Sequence, residues 1–429
     1  MKQNSEVRIQ NLKFSRRDII KCSGLATLAG LAGCGQMTGT KNEIGEAPYL
    51  DYASIEVVPV VNCWGAMTTM GGSLILPEAK KAMMEAANSF VRMGELMEGV
   101  GNKLAELTGA EWGVITSGCA AALFVATSGV ITGGDPKKVA KIPDTEGMKN
   151  ECIVSSGHRT GYDCAVKMAG VRMIEADSPE EMEAAFNEKT AMIFVLGEYY
   201  DRGNIPLDDI YAMGKKHGVP VLVDASAEGP TSPDIYLQGG ADMVAYSGGK
   251  CVHGPQPSGF LLGREDLLRA GMRNMSPNQS MGRPMKVGKE EYMGALTALN
   301  SWFNVRDHGA EFKERERMIM HIQKEISSID GITTKIVQPS MRSNVAPTLL
   351  IHWDENRIKI TKSELMKQMW EGKPRIALAG SNPQENWREQ KEGRERMANK
   401  GVTVMPLMMT SGEETPVAER LQEVLLSAV

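Results

Sequence analysis

Apolar, strand-like runs alternate with amphipathic helical segments along most of this 429-residue chain, from Val57 onward. The clearest buried strand is 219–223, which contains Pro220-Val221-Leu222-Val223. Helical patterns separate it from most of the other candidate strands, which are 112–116, 151–155, 171–175, 191–196 and 243–246. Such alternation is typical of a mostly parallel sheet with helices on both faces. The sequence therefore predicts an α/β fold.

The pattern changes after Lys289, where a charged helical stretch covers 289–329 with a break near 307–309. Four strand-like runs and two helical segments follow it: 333–337, 348–353, 375–379, 402–405, 362–371 and 416–428. This order predicts a connector and then a small C-terminal α/β domain. We place the large domain at 56–315 and the small domain at 316–429.

The N-terminus carries a paired-arginine motif, Ser15-Arg16-Arg17-Asp18, followed by a weakly apolar run that ends at Cys34. This order resembles a twin-arginine export signal closed by a lipoprotein processing box. It predicts a signal at 1–33, lipidation of Cys34, a linker at 34–55, and a periplasmic or membrane-anchored protein. No later segment has the 18 or so consecutive apolar residues of a membrane span. The alternative is an ordinary N-terminal helix.

Charge and cysteine patterns bear on partners. The net charge is −5, and the first 33 residues hold six basic and two acidic side chains, so the remainder carries 42 − 51 = −9. An acidic body argues against a nucleic-acid partner, because phosphate neutralisation supplies most of the affinity for DNA or RNA.

The seven cysteines are scattered without a Cys-x-x-Cys pair. This pattern supports neither a metal site nor a disulfide framework.

Two candidate site features follow strands in the first half of the chain. Thr116-Ser117-Gly118-Cys119 joins a strand to a helix, where free backbone N–H groups and the helix dipole favour an anion such as phosphate. Tight packing is the alternative explanation. His158, in Gly157-His158-Arg159, lies where an imidazole can stack on a planar cofactor. A solvated loop histidine is the alternative.

Two further features follow later strands. Asp224 ends the clearest buried strand, and a buried carboxylate needs a partner such as a protonated pyridine nitrogen. A helix N-cap role is the alternative. Lys250 ends Ser247-Gly248-Gly249-Lys250, and a glycine turn at a sheet edge positions a lysine as a Schiff-base nucleophile. A surface lysine is the alternative.

Together these features meet the needs of pyridoxal 5′-phosphate, and their order resembles the aspartate-aminotransferase superfamily, fold type I. A narrower resemblance covers roughly 55–429. It is to the branch that holds selenocysteine-synthase-like proteins, related to L-seryl-tRNA(Sec) selenium transferase, and D-glucosaminate-6-phosphate ammonia-lyase. The segments that carry it are 62–73, 108–111, 157–159, 247–250, 254–256 and 282–291.

The resemblance implies a role for each candidate residue. Lys250 binds the cofactor aldehyde, Asp224 pairs with the ring nitrogen and His158 stacks on the ring. Ser226 contacts the other ring face, and the phosphate cup comprises Ser117, Gly118, Cys119 and Ser247. Arg283 and Lys286 lie in a basic loop that reaches a substrate or cofactor anion, with a plain surface loop as the alternative. Arg375 is the candidate for the substrate carboxylate.

The predicted function is that of a pyridoxal-phosphate enzyme acting on a small amino substrate, an amino acid or amino-sugar acid. We expect it to form a homodimer or a higher homo-oligomer. We expect α,β-elimination of the ammonia-lyase type, with Lys250 moving the Cα proton. Aminotransfer, racemisation and selenium-transferase-like β-replacement are alternatives, and a non-catalytic exported binding module is another. The acidic body and the export signal disfavour the charged-tRNA substrate of true selenium transferases.

Overall fold

A computed structural model describes residues 50–197, 203–339, 342–379 and 401–429. The predicted signal and Cys34 lie outside the described residues, as does most of the linker. The chain divides into two units, Met1–Val57 and Val58–Val429. The described part of the first unit holds one short 3₁₀ turn, Ala53–Ile55. The elements named below belong to the second unit.

A seven-stranded sheet forms the centre of the larger hydrophobic core. Its strands, in spatial order, are β2 (Trp112–Thr116), β8 (Gly259–Gly263), β7 (Met243–Ser247), β6 (Val221–Asp224), β5 (Thr190–Leu196), β3 (Glu151–Val154) and β4 (Arg172–Glu175). β8 is antiparallel to both of its neighbours, β2 and β7, and the other neighbouring strands pair in parallel. The α/β fold with a mostly parallel sheet is confirmed. β8 was not predicted.

Helices cover the sheet, and most of them contribute buried side chains to this core. They are α1 (Pro77–Ala87), α2 (Met93–Thr108), α3 (Cys119–Thr132), α4 (Pro136–Lys141), α5 (Asp163–Lys167), α6 (Pro179–Ala185), α7 (Leu207–His217), α8 (Ile235–Gly239), α9 (Glu265–Met272) and α10 (Lys289–Asn304). Most of α3 is buried. Gly94 and Gly99 in the first half of α2 weaken its helical signal in the sequence. Among the described helices, none has both the length and the apolarity that crossing a membrane requires.

A second hydrophobic core forms around the C-terminal elements. It contains helices α11 (His308–Ile326), α12 (Lys362–Glu371) and α13 (Glu414–Leu426), and strands β9 (Ile332–Val337), β10 (Thr348–Trp353), β11 (Arg375–Leu378) and β12 (Val402–Val404). β10 pairs antiparallel with β9 and β12. The break between α10 and α11 falls at 305–307. The sequence predicted it near 307–309. The domain boundaries remain a prediction.

An N-terminal strand, β1 (Val60–Cys63), also belongs to the second core. It pairs in parallel with β11, Val60 opposite Arg375 and Cys63 opposite Leu378. Val61 and Cys63 are buried in that core. The second core therefore contains residues from before the large sheet and from after it in the sequence. The sequence pattern did not predict this placement of β1.

Two glycines of α2 allow a direct test of how this helix packs. A Cβ atom at Gly101 would lie 2.2 Å from the Trp112 ring, whereas one at Gly99 would meet nothing within 4 Å. Gly101→Ala should reduce the free energy of unfolding by about 1–3 kcal/mol through overpacking. Gly99→Ala should raise it by about 0.5–1 kcal/mol through helix propensity. Urea unfolding of both variants measures this, and a shift of the same sign in both would contradict the packing described here.

Candidate active site

The parallel strands of the large sheet end at one edge, and the predicted site residues lie along it. β2 ends at Thr116, β6 at Asp224 and β7 at Ser247. The turn after β3, two strands from β6, carries His158. β8 begins at the same edge, since Gly259 pairs in register with both Thr116 and Ser247. Open α/β sheets bind ligands at the carboxyl ends of their strands.

Helix α3 begins at this edge with its first N–H groups uncapped by any side chain. Gly118 precedes the helix with a φ of +87°, in the left-handed region that favours glycine. A Cβ atom on Gly259 would lie 2.5 Å from the Gly118 carbonyl carbon and 2.7 Å from the Cys119 nitrogen. Ser117 and Gly118 are partly exposed, so an anion can approach the N–H groups. This is the geometry that a phosphate site requires.

Asp224 is buried at the end of β6, with 3% of its surface exposed. Its Oδ1 accepts a hydrogen bond from the Ser226 backbone N–H at 3.0 Å. Burial raises the pKa of this carboxyl group, while the Ser226 N–H and the Lys250 ammonium act in the opposite direction. The N-cap alternative is wrong, because residues 225–234 form no helix and Asp234 caps α8.

The thiol of Cys119 is turned towards Asp224. Its Sγ lies 3.6 Å from Asp224 Oδ1 and donates to it. Burial raises the thiol pKa well above its ordinary value, and the Asp224 charge adds to this. The group therefore remains a neutral S–H donor. Only the backbone N–H of Cys119 is therefore available for the predicted phosphate cup, because its side chain donates to Asp224.

The turn that carries Lys250 is held by backbone hydrogen bonds. Gly248 N–H donates to Ser258 O at 2.8 Å, and Gly254 N–H donates to Gly248 O at 2.8 Å. His253, with a φ of +59°, donates from Nδ1 to Leu74 O at 3.0 Å. Lys250 itself is half-buried. The turn thus fixes the backbone at Lys250, and the binding of a cofactor aldehyde by its side chain stays a prediction.

Two buried tyrosine–carboxylate pairs hold the loop that follows Asp224. Tyr246 Oη donates to Asp234 Oδ2 at 2.7 Å, and Tyr236 Oη donates to Glu228 Oε1 at 2.7 Å. The Cys251 thiol donates to the Glu228 carbonyl oxygen at 3.3 Å. These contacts tie the loop after β6 to β7 and to the residue after Lys250. Sequence reasoning missed them, because each residue taken alone is an ordinary loop or strand residue.

His158 is completely buried, so the alternative of a solvated loop histidine is wrong. Its turn, Ser156–His158, is fixed by Asp177, which accepts hydrogen bonds from Ser155 Oγ at 2.9 Å and Ser156 N–H at 2.7 Å. A Cβ atom on Gly203 would lie 3.0 Å from His158 Nε2. Stacking of this ring on a cofactor stays a prediction.

The other predicted residues divide into two groups. Ser226 and Ser247 are half-buried at the same edge as Asp224 and Lys250. Arg283 and Lys286 are exposed, and Arg283 Nη1 donates to Ser276 Oγ at 3.2 Å. Arg375 opens β11, with its guanidinium carbon 5.0 Å from the Trp370 ring centroid. The substrate-binding roles of these three cationic residues stay predictions.

A cavity of about 880 Å³ adjoins the Lys250 turn and was also missed from the sequence. Cys251 and Ala227 line it, together with Arg306 and Arg315 near the start of α11. In the sequence these arginines belong to a charged helical stretch, whose commonest explanation is a solvated helix face. The cavity has the size of small-molecule sites.

The arrangement at the sheet edge suits one kind of ligand. The start of α3 favours an anion, Asp224 favours a cation, and Lys250 offers an amine between fixed turns. A planar cationic ring with a phosphate arm and an electrophilic group meets all three conditions.

Comparisons with known proteins agree with this chemistry. The family model described as aminotransferase class-V matches residues 79–298. A D-glucosaminate-6-phosphate ammonia lyase from Salmonella typhimurium is 32% identical over 300 residues, which cover 67% of this chain and 78% of that enzyme. A 5′-C-glycyluridine monooxygenase-decarboxylase from a Streptomyces species is 30% identical over 391 residues, 88% of this chain and 92% of the relative.

A solved structure of D-glucosaminate-6-phosphate ammonia-lyase superposes with a TM-score of 0.74 at 27% identity. The superposition covers 88% of this chain and 98% of that structure. The region matched by the family model includes α3, Asp224 and Lys250, which all lie at this edge of the sheet. The chain belongs to the aminotransferase class-V family and is a pyridoxal-phosphate-dependent enzyme of fold type I.

Proposed function

We propose that this protein eliminates the β-substituent of an amino acid or amino-sugar acid and releases ammonia and a keto product. The observation that carries the proposal is the placement of Lys250 and the buried Asp224 at the edge where α3 begins. The relative named as an ammonia lyase, 32% identical over two thirds of this chain, supports the reaction class.

The residues at the edge fit pyridoxal phosphate. The uncapped start of α3 is suited to the phosphate. Asp224, whose pKa burial raises, gains a cationic partner in the protonated ring nitrogen. Lys250 is the residue for the aldehyde. When bound, the cofactor supplies an electron sink for the electron pair left at the substrate Cα.

Lys250 then moves the proton. With cofactor and substrate bound, the free amine of Lys250 would remove the Cα proton, and the fixed backbone of its turn would limit where Nζ can reach. Asp224, with its Ser226 and Cys119 hydrogen bonds, would keep the ring nitrogen protonated. The substrate would lose its Cα proton to Lys250, and its β-substituent would leave with the electron pair of the broken bond. Water would then hydrolyse the released enamine to ammonia and the keto product.

Oxidative decarboxylation is the second candidate. It is favoured by the relative named as a monooxygenase-decarboxylase, which aligns over 88% of this chain. This reaction consumes O₂ and releases CO₂, whereas elimination does neither. Aminotransfer and β-replacement remain alternatives that need a keto-acid acceptor or an incoming nucleophile.

We expect the purified full chain, loaded with pyridoxal phosphate, to show a visible absorbance band that borohydride converts irreversibly to a covalent adduct. Lys250→Ala should lack the adduct, because no other lysine lies on that turn. Lys216→Ala, which changes an exposed lysine paired with Glu183, should keep it. Absorbance and intact mass measure both properties. An adduct in Lys250→Ala would contradict the assignment.

A panel of amino acids and amino-sugar acids tests the reaction itself. Ammonia and keto product in equal amounts, without O₂ consumption and without an acceptor, are expected from the wild type and not from Lys250→Ala. O₂ consumption with CO₂ release would instead support the second candidate.

Asp224→Asn should separate stability from activity. In the cofactor-free protein the ionised, buried Asp224 is unfavourable, since its folded pKa lies above the unfolded value of about 3.9. The Asn variant should therefore gain stability over the wild type as the pH rises through that raised pKa, and lose the advantage as the pH falls towards 4. Its kcat should fall by about 10²–10³-fold. Urea unfolding at several pH values and turnover measure these effects; a wild-type kcat in the variant would contradict the role.

A homodimer is also proposed. Four large apolar side chains between 74 and 91 are exposed and available to a partner subunit: Leu74, Met84, Phe90 and Val91.

Export through the twin-arginine route, with a lipid on Cys34, is proposed for the N-terminus. A phosphorylated cofactor is best inserted in the cytoplasm, and a route for folded proteins preserves it. Replacing Arg16-Arg17 by Lys-Lys should strand cofactor-bound protein inside the cell, whereas Arg8→Lys should not. Fractionation with absorbance of each fraction measures this. Efficient export of the double-lysine variant would count against the proposal.

A further inference from the structure

Two arginines, Arg306 and Arg315, line the cavity beside the Lys250 turn. Cys251, the residue after Lys250, and Ala227, the residue after Ser226, line it as well. The cavity thus shares its boundary with both loops that carry the proposed chemistry.

Each nitrogen of the Arg306 guanidinium donates to an oxygen of the protein. Its Nε and Nη2 donate to the two Glu311 carboxylate oxygens at 2.6 and 2.7 Å. Its Nη1 donates to the Cys251 carbonyl oxygen at 2.7 Å, and its side chain is 7% exposed. This residue holds the start of α11 against the Lys250 turn.

Arg315 has no such set of partners. Within the described ranges its single polar contact joins Nη2 to Glu311 Oε2 at 3.4 Å, the same oxygen that already accepts from Arg306. His308 Nδ1 lies 3.7 Å from that oxygen as well. A guanidinium has five N–H donors, and only 15% of the Arg315 side chain is exposed. Burial lowers the pKa of Arg315, and the positive charge of Arg306 lowers it further. The negative charge of Glu311 acts in the opposite direction.

The other charges around the cavity are paired. Lys103 bonds Glu106, and Arg342 lies 3.3 Å from the buried Glu228. Arg306 and Arg315 share the carboxylate of Glu311, and Arg315 has the longer contact to it, 3.4 Å against 2.6 and 2.7 Å for Arg306. A buried cation in this position is stabilised by an anion from outside the chain.

We propose that Arg315 and its cavity bind a second anionic group of the substrate, a carboxylate or phosphate remote from the amine that reacts at Lys250. The inference rests on the proposed function and narrows it, because it restricts the substrates to amino compounds with such a group. The apolar rings of Trp302 and Phe303 that also line the cavity suit the carbon chain between the two ends.

The test measures binding of two probes, inorganic phosphate and succinate, to the cofactor-loaded full chain by calorimetry at constant ionic strength. Loaded protein is used because its phosphate cup is already occupied. Arg315→Gln should bind the favoured probe about 10- to 100-fold more weakly, the loss expected for a hydrogen bond to a charged group. Arg315→Lys, which keeps the charge, should lose less. Arg317→Gln, on the same helix but paired with Glu314 and Glu414, should match the wild type.

The outcomes are distinct from those of the lyase assay. Whichever probe binds identifies the anion as phosphate or carboxylate, and the same probe should inhibit turnover competitively. Arg315→Gln should raise KM for substrates with a second anion and leave kcat within a few-fold. Equal probe affinity in the wild type and Arg315→Gln, or no affinity of the wild type for either probe, would overturn the subsite even if elimination is observed. Probe binding that depends on Arg315 in a protein without lyase activity would refute the function and keep the anion site.

Discussion

The burial of one carboxylate, Asp224, is the interaction on which the rest of the site depends. It costs free energy unless the charge is met by donors and by a cation. The Ser226 N–H and the Cys119 thiol supply the donors, and the Lys250 ammonium supplies part of the charge. The sheet makes this burial unavoidable, because β6 lies between β5 and β7 with its side chains enclosed on both faces. A cationic ring bound next to Asp224 would neutralise the rest of its negative charge.

Much of the fold could be predicted because buried parallel strands are continuous apolar runs bounded by turn residues. Residues 112–116 and 348–353 match β2 and β10, and the helical break before α11 was also expected. β8 escaped because a five-residue run with glycine at both ends, Gly259–Gly263, resembles a loop. β1 escaped for another reason: its partner, β11, lies more than 300 residues away, and no local pattern records such a pairing.

The types of side chain at the site could also be predicted, since strand ends in α/β proteins converge on one edge. What the sequence could not decide was the environment of each. Whether Asp224 caps a helix or His158 faces water depends on burial and on residues far along the chain. The same holds for Cys119, whose contact with Asp224 spans 105 positions, and for Arg315, which is unusual only because Arg306 already occupies Glu311.

The environment of the cysteines also determines how the protein tolerates oxidation. Burial raises the thiol pKa of Cys63, Cys119 and Cys152, and raises that of Cys251 to about 11. Thiolate is the form that attacks disulfides and peroxides, so at neutral pH these four sulfurs are almost inert. Cys164, exposed on the surface, is the described cysteine open to such reagents. Among the described cysteines, a medium rich in disulfides or peroxides would therefore modify Cys164, and the hydrogen bond that Cys119 donates to Asp224 would survive.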